Sequence, residues 1–323
     1  MRSAGKCWAE AFGEELICAG GGSGRMENTM NRRKSFDNMD EKAISCVSYV
    51  IMGIAAALAM IPFLHVFSKA FSSASSVTGG LVKLWPVGFQ AETAAFVLTD
   101  TIYFRSLFNT VFVTVVGTVL SMVVTITTAF PLSKPSLKGR KLILLLYIFS
   151  MLFYGGMIPA FMVVKSLGIL NTYAALILPF IIIQFNMLIV KNYFEGLPES
   201  IEESARLDGT GNIRLLVSII CPMSKPVIAT VSMLYAVNYW NNYFHALLYT
   251  NSASMKTLQL FLYDTIYSAE SLIEKLRTNE VTNVSSEGIR SAVVVLSVIP
   301  IVLLYPFVQR YFVQGITIGS VKG

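Results

Sequence analysis

The chain is 323 residues long, 54% hydrophobic and only 14% charged, with a mean hydropathy of +0.62. A soluble domain carries about 25% charged residues, so this composition excludes an ordinary water-soluble fold. It also excludes a disordered chain, a coiled coil and a nucleic-acid-binding module, each of which needs more charge. What remains is an all-α polytopic membrane protein, in which the net charge of +6 reads as a topology signal.

In chain order, residues 1–42 form a charged tail. The run 16–19 is too short for a signal peptide and acids precede it. Glycine codons are G-rich, so Gly20-Gly21-Gly22 just before Met26 could be a translated ribosome-binding site, and translation is expected to start at Met26 or Met30. A helix needs about 20 mostly apolar residues to cross a bilayer. Six stretches qualify: 43–67, 107–130, 142–164, 173–190, 226–248 and 291–308, none with Asp, Glu, Lys or Arg in its interior. With a cytoplasmic N-terminus, 17 of the 25 Lys and Arg residues fall on the inner side, so the positive-inside rule puts both termini in the cytoplasm. Segments 68–106 and 249–290 are then long extracytoplasmic loops. Residues 191–225 form a long cytoplasmic one, and 314–323 a short tail.

The spans lack the intramembrane carboxylates that proton-coupled transporters use, although a sodium site of backbone carbonyls stays compatible with the sequence. No phosphate-binding GxxxxGK[ST] motif is present, and Gly20–Gly24 has neither the lysine nor a preceding strand. The four cysteines, Cys7, Cys18, Cys46 and Cys221, and the two histidines, His65 and His245, show no metal-ligand spacing. No cofactor, metal or catalytic residue is therefore expected. Asn283-Val284-Ser285 reads as a chance glycosylation match.

The cytoplasmic loop is the most patterned stretch. Pro198 suits the start of a helix, and Glu199, Glu202 and Glu203 in the first turns oppose its positive end. Asp208-Gly209 stops it. Ile201, Ala205 and Leu207 give it a small apolar side, and a second amphipathic run, 213–220, leads to Cys221-Pro222.

At these residues the chain resembles the membrane subunits of ATP-binding-cassette importers. Glu203-Ser204-Ala205, three residues, Gly209, nine residues, Ile219 and Pro222 match the family's EAA loop, E-A-A-x3-G-x9-I-x-L-P, with Ser204 and Cys221 as departures that keep a small or apolar side chain. Gly168–Tyr173, Ala205–Gly209, Pro222–Pro226, Trp240-Asn241 and Gly315–Gly323 resemble the carbohydrate branch typified by the maltose permease subunits. Within it they are most similar to the polysaccharide-type subgroup often labelled LplC-like or YtcP-like.

The resemblance implies a type I importer permease fold. Its permease domain would cover 107–313, with the EAA loop at 195–222. It implies a subunit of a bacterial cell-membrane carbohydrate importer, not itself an enzyme. The implied partners are a second homologous permease, two cytoplasmic ABC ATPase subunits, an extracytoplasmic solute-binding protein and the lipid bilayer, with no nucleic acid. In the family the EAA helix docks in a cleft of the ATPase. That makes Glu203 a charged contact, Ala205 a packing position and Gly209 the turn, with Ser204, Asp208, Ile219 and Pro222 completing the coupling set. The alternative is a stand-alone secondary transporter or channel.

The fifth stretch carries the one polar cluster. Asn238, Asn241, Asn242 and His245 follow i, i+3, i+4, i+7 and are expected on one helix face, with Trp240 pointing elsewhere. Amides and aromatic rings suit a saccharide path, and they equally suit packing against a neighbouring helix or a partner permease.

Overall fold

A computed structural model describes the backbone of residues 23–153, 155–267 and 284–320, and the side chains of 44–153, 155–267 and 284–303. The first 22 residues, Asn283 and the side chains of the 314–323 tail, on which some of the expectations above bear, lie outside this description. Every regular element among the described residues is helical. They are α1 (Ser23–Ala70), α2 (Ala74–Thr78), α3 (Glu92–Thr99), α4 (Thr101–Ser133), α5 (Arg140–Leu152), α6 (Met157–Ser166), α7 (Tyr173–Ile177), α8 (Gln184–Glu195) and α9 (Glu199–Leu207). After them come α10 (Asn212–Leu215), α11 (Cys221–Met223), α12 (Lys225–Trp240), α13 (Phe244–Tyr249), α14 (Leu258–Tyr267) and α15 (Ser286–Ser320).

The chain divides into two units, 1–63 and 64–323. In the first, α1 exposes Ile44, Val47, Val50, Ile51, Ile54 and Leu58 around its circumference, the pattern of a helix solvated by lipid.

Among the described residues, three helices are long and apolar enough to cross a membrane unbroken: Ile44–Ala70, Thr101–Ser133 and Ser286–Leu303. Three further pairs of shorter helices are apolar enough only when each bent pair is taken as one span, and counted so they make up to six, the number that hydropathy predicts. The third is interrupted between Leu152 and Met157, where Gly156 takes a φ of +93°. The fourth bends by 50° between Phe180 and Gln184. The fifth also departs from expectation. Its helix α12 ends at Trp240, and at ~1.5 Å per residue its 16 residues span only ~24 Å. A turn at 241–243 and the short α13 continue it outward, while α10 and α11 meet its other end at 87°.

Helix α4 organises the second unit by packing along both α12 and α8. Its buried face is small and polar, with Ser106, Thr110, Gly117, Ser121 and Thr125, whereas Phe108, Val115, Val119 and Val123 face outward. Small residues let backbones approach, which is how helices associate where lipid removes the hydrophobic drive. At Gly117 a β-carbon would come within 2.8 Å of the Tyr239 ring, so glycine is required there.

Breaking a helix in a membrane frees backbone groups that no water can satisfy. Two tyrosines of α12 satisfy them at the bend of the fourth crossing. The Ile183 N–H donates to the Tyr235 hydroxyl at 3.0 Å, and the Tyr239 hydroxyl donates to the Ile177 carbonyl at 3.2 Å. Each hydroxyl also meets α4, Tyr235 at Thr125 (2.7 Å) and Tyr239 at Ser121 (2.9 Å). All four side chains are buried.

Candidate functional site

The 191–225 loop folds as its residue types dictate. Helix α9 begins at Glu199, one position later than Pro198 alone suggests, because Pro198 takes an extended ψ of 127° and occupies the N-cap. At the other end the Thr210 N–H donates to the Ala205 carbonyl and the Gly209 N–H to the Arg206 carbonyl, both at 3.0 Å, with Gly209 at φ +76°. This is a Schellman closure, and its left-handed position favours glycine. A β-carbon on Gly209 would meet nothing within 4 Å. The glycine is there for its backbone conformation and not for space.

The two faces of α9 are distinct. Ala205 is buried in the core with Phe194, Leu215, Leu216 and Ile220. Ile219 packs against the edge of that core, and Pro222 is exposed. Glu203, Ser204 and Asp208 are exposed, and the Ser204 hydroxyl donates to the Ser200 carbonyl at 2.8 Å. Leu207 does not join the apolar side expected for it. It is 85% exposed, as is Ile213 at 82%, so the loop presents two bare aliphatic side chains beside its acids. Leu207 follows Ala205 by two residues, about 200° around a helix, and so points the opposite way.

Sequence reasoning did not find what anchors this helix. Glu202 forms an ion pair with Lys134, the residue that ends α4. The Lys134 ammonium also lies 4.9 Å above the Phe130 ring. Burial, and then the neighbouring Arg206, hold the Lys134 pKa below the ordinary lysine value, with Glu199 pulling the other way. Nearby, Arg140 reaches Glu195 at 2.5 Å and donates through Nε to the Leu132 carbonyl at 2.8 Å, while Lys191 also pairs with Glu195. Arg206 donates to Asn212 at 3.2 Å across the Gly209 turn. The sequence signal for these contacts is the cluster of opposite charges in the two loops 131–141 and 191–225.

The polar cluster of the fifth crossing is rearranged relative to expectation. Asn238, Asn241, Asn242 and His245 do not share one helix face, because the helix stops at Trp240 and Asn241 is its C-cap. The Asn242 carboxamide oxygen accepts from the His245 N–H and lies 2.8 Å from its Nδ1. The His245 ring packs on Phe180 with centroids 4.2 Å apart. Asn242 and His245 are thus spent on holding α13 against the bend of the fourth crossing. Trp240 is buried with Tyr103, Leu258 and Phe261. Asn238 and Asn241 remain exposed, and Asn241 donates to the Val237 carbonyl at 3.0 Å.

At the end of the bundle opposite α9, the run Gly168–Tyr173 acts as a clasp. Asn171 takes the left-handed φ of 59°, and its side-chain oxygen accepts from the Asn251 N–H, the Ser252 N–H and the Ser252 hydroxyl. The Tyr173 hydroxyl donates to Asn109 of α4 at 2.7 Å, and the Asn109 amide in turn donates to the Ser254 and Lys256 carbonyls.

A family model described as "Binding-protein-dependent transport system inner membrane component" matches residues 104–318. Protein LplC of Bacillus subtilis (strain 168) is 42% identical over 85% of this chain and 93% of its own length. The polygalacturonan/rhamnogalacturonan transport system permease protein YtcP of the same organism is 38% identical over 88% of this chain and 100% of its own. Among solved structures, a chain from the crystal structure of a bacterial ABC transporter involved in the import of the acidic polysaccharide alginate superposes with a TM-score of 0.79 at 35% identity, covering 84% of this chain and 98% of that one. The helical architecture, the family match and the relatives agree, and this chain belongs to the family of inner membrane components of binding-protein-dependent transport systems.

Proposed function

We propose that this chain is the permease subunit of an importer for an oligosaccharide or a polysaccharide-derived sugar. It works with a second homologous permease, two cytoplasmic ABC ATPase subunits and an extracytoplasmic solute-binding protein, and both termini are in the cytoplasm. The saccharide class rests on the similarity to a polygalacturonan/rhamnogalacturonan permease and to a transporter involved in alginate import. The topology rests on the distribution of basic residues.

One observation carries the coupling role: the exposed face of α9. Glu203, Ser204, Leu207 and Asp208, with Ile213 just beyond the turn, form a surface of acids around bare aliphatic groups, fixed at its end by Gly209. Aliphatic side chains this exposed on a rigid element suit burial in a partner's cleft. Ala205 and Ile219 pack behind that surface, and the exposed Pro222 belongs to the coupling set by its place in the motif. In this reading ATPase closure displaces α9, and α9 re-aims the crossings between inward-open and outward-open states. A stand-alone transporter has no use for such a surface.

For the substrate path, Asn238 and Asn241 are the members of the polar cluster still exposed to meet a saccharide. Trp240, Asn242 and His245 hold the local structure that presents those two amides.

Gly209 tests the coupling assignment. Gly209→Asp is expected to insert at normal levels and to abolish ATP-dependent uptake, while Gly209→Asn, which accepts a left-handed φ more readily, retains most of it. Normal uptake by Gly209→Asp overturns the coupling role.

A further inference from the structure

Helix α9 is joined by chain to the fourth crossing through α8 and to the fifth through α10 and α11. The second crossing, α4, which packs along both others, is reached along the chain only through α5 to α8. The ion pair between Glu202 and Lys134 supplies a direct link. We propose that the Glu202–Lys134 pair locks the coupling helix to the cytoplasmic end of α4, so that the two move as one rigid body and three crossings follow a single push.

Four features of the contact support this. Both side chains are largely withdrawn from water, 16% exposed for Glu202 and 23% for Lys134, so the pair is less screened than a surface salt bridge. Lys134 has little freedom, because its ammonium rests over Phe130 and its backbone N–H donates to the Pro131 carbonyl at 3.1 Å. Phe130 in turn meets Phe194 of α8 edge-on at 6.5 Å. Behind the pair, Arg140 and Lys191 converge on Glu195, and Arg140 also binds the Leu132 carbonyl. The end of α4, the start of α5 and the end of α8 are thereby tied at the level where α9 rests. Glu202 lies one residue before the Glu203-Ser204-Ala205 triplet and points inward while Glu203 is exposed. The two glutamates divide the labour, Glu203 facing outward and Glu202 holding the helix to its own bundle. Lys134 and Glu202 are positioning residues acting through α9.

This rests on the coupling reading above, and the experiment separates the two. The complex with its partner permease and ATPase is prepared in nanodiscs, with Cys7, Cys18, Cys46 and Cys221 replaced by Ser. Spin labels are placed at Ser200→Cys on α9 and Lys138→Cys in the turn after α4, both exposed positions. Their separation is measured by double electron–electron resonance at rest and after trapping with MgATP and vanadate. In the wild-type background the separation should not change on trapping. In Lys134→Glu and in Glu202→Lys it should broaden at rest and shift on trapping by about 2 Å or more, the scale of helix shifts at interfaces. The double charge swap should restore a narrow, unchanging separation. A wild-type separation that shifts on trapping, single reversals that behave as wild type, or a swap no better than the single variants overturns the lock. A wild-type preparation from which the ATPase is absent strikes the coupling reading instead, and the resting distributions of the four proteins still decide the lock.

Discussion

The end of the bundle that carries α9 and the bundle's interior solve the same problem with different chemistry. Both must hold helices at fixed angles where the chain breaks. At the α9 end the ties are charged: Lys134 to Glu202, Arg140 to Glu195, Lys191 to Glu195. In the interior they are hydroxyls: Thr125 to Tyr235 to Ile183, and Ser121 to Tyr239 to Ile177. The difference follows from solvent. An ion pair at the end of the bundle keeps part of its hydration even when half-buried, whereas the same charges at the centre of a bilayer would cost several kcal/mol each unless perfectly paired. A tyrosine hydroxyl carries no net charge, yet it donates and accepts, so one side chain satisfies a backbone group and a neighbouring helix together. The break in the fourth crossing is thus compatible with the membrane because the fifth crossing supplies the missing partners.

Moving a charge from one region to the other should break this division most severely. Thr125→Asp is expected to cost about 3 kcal/mol or more, the scale for an acid in mid-membrane, and to abolish folded protein in a size-exclusion assay. Ser136→Asp, in the exposed turn after α4, should stay within about 0.5 kcal/mol. Removing one hydroxyl sharpens the comparison. Tyr235→Phe leaves the Ile183 N–H and the Thr125 hydroxyl without their partner, a loss of about 1–3 kcal/mol that should appear as a lower thermal midpoint. The smallest effect on stability is expected at the exposed amides. Asn238→Ala and Asn241→Ala should change the thermal midpoint little, by roughly 0.5 kcal/mol or less, while raising the apparent KM for uptake of the transported saccharide. An unchanged KM would remove both residues from the path.

Much of this architecture was legible in the amino-acid order, but not evenly. The α9 helix, its acidic start and its glycine stop were readable because each is local: a proline at the start, glutamates in the first turns and a left-handed closure at Gly209. The fifth crossing misled because hydropathy over 226–248 is continuous while the helix is not. Asn241, Asn242 and Tyr243 can sit in a helix or leave one, and Asn242 leaves it to cap α13 and hold His245 against Phe180. Leu207 misled for the opposite reason, since an aliphatic residue in a loop helix is ordinarily assigned to the buried side. The clasp at Asn171 was visible as a motif without a meaning, which came only when residues 249–256 folded back onto it.

By itself the sequence determined the solvent of this protein, six stretches apolar enough to cross a membrane and the place of its most ordered loop helix. Those depend on composition and on periodicities shorter than a single helix. Only the tertiary structure decided where the crossings break, which side of α9 is bare and which lysine holds Glu202. Each of these is a pairing between residues far apart in the chain. The low-dielectric surroundings make every such pairing obligatory without marking, in the sequence, which partner meets it.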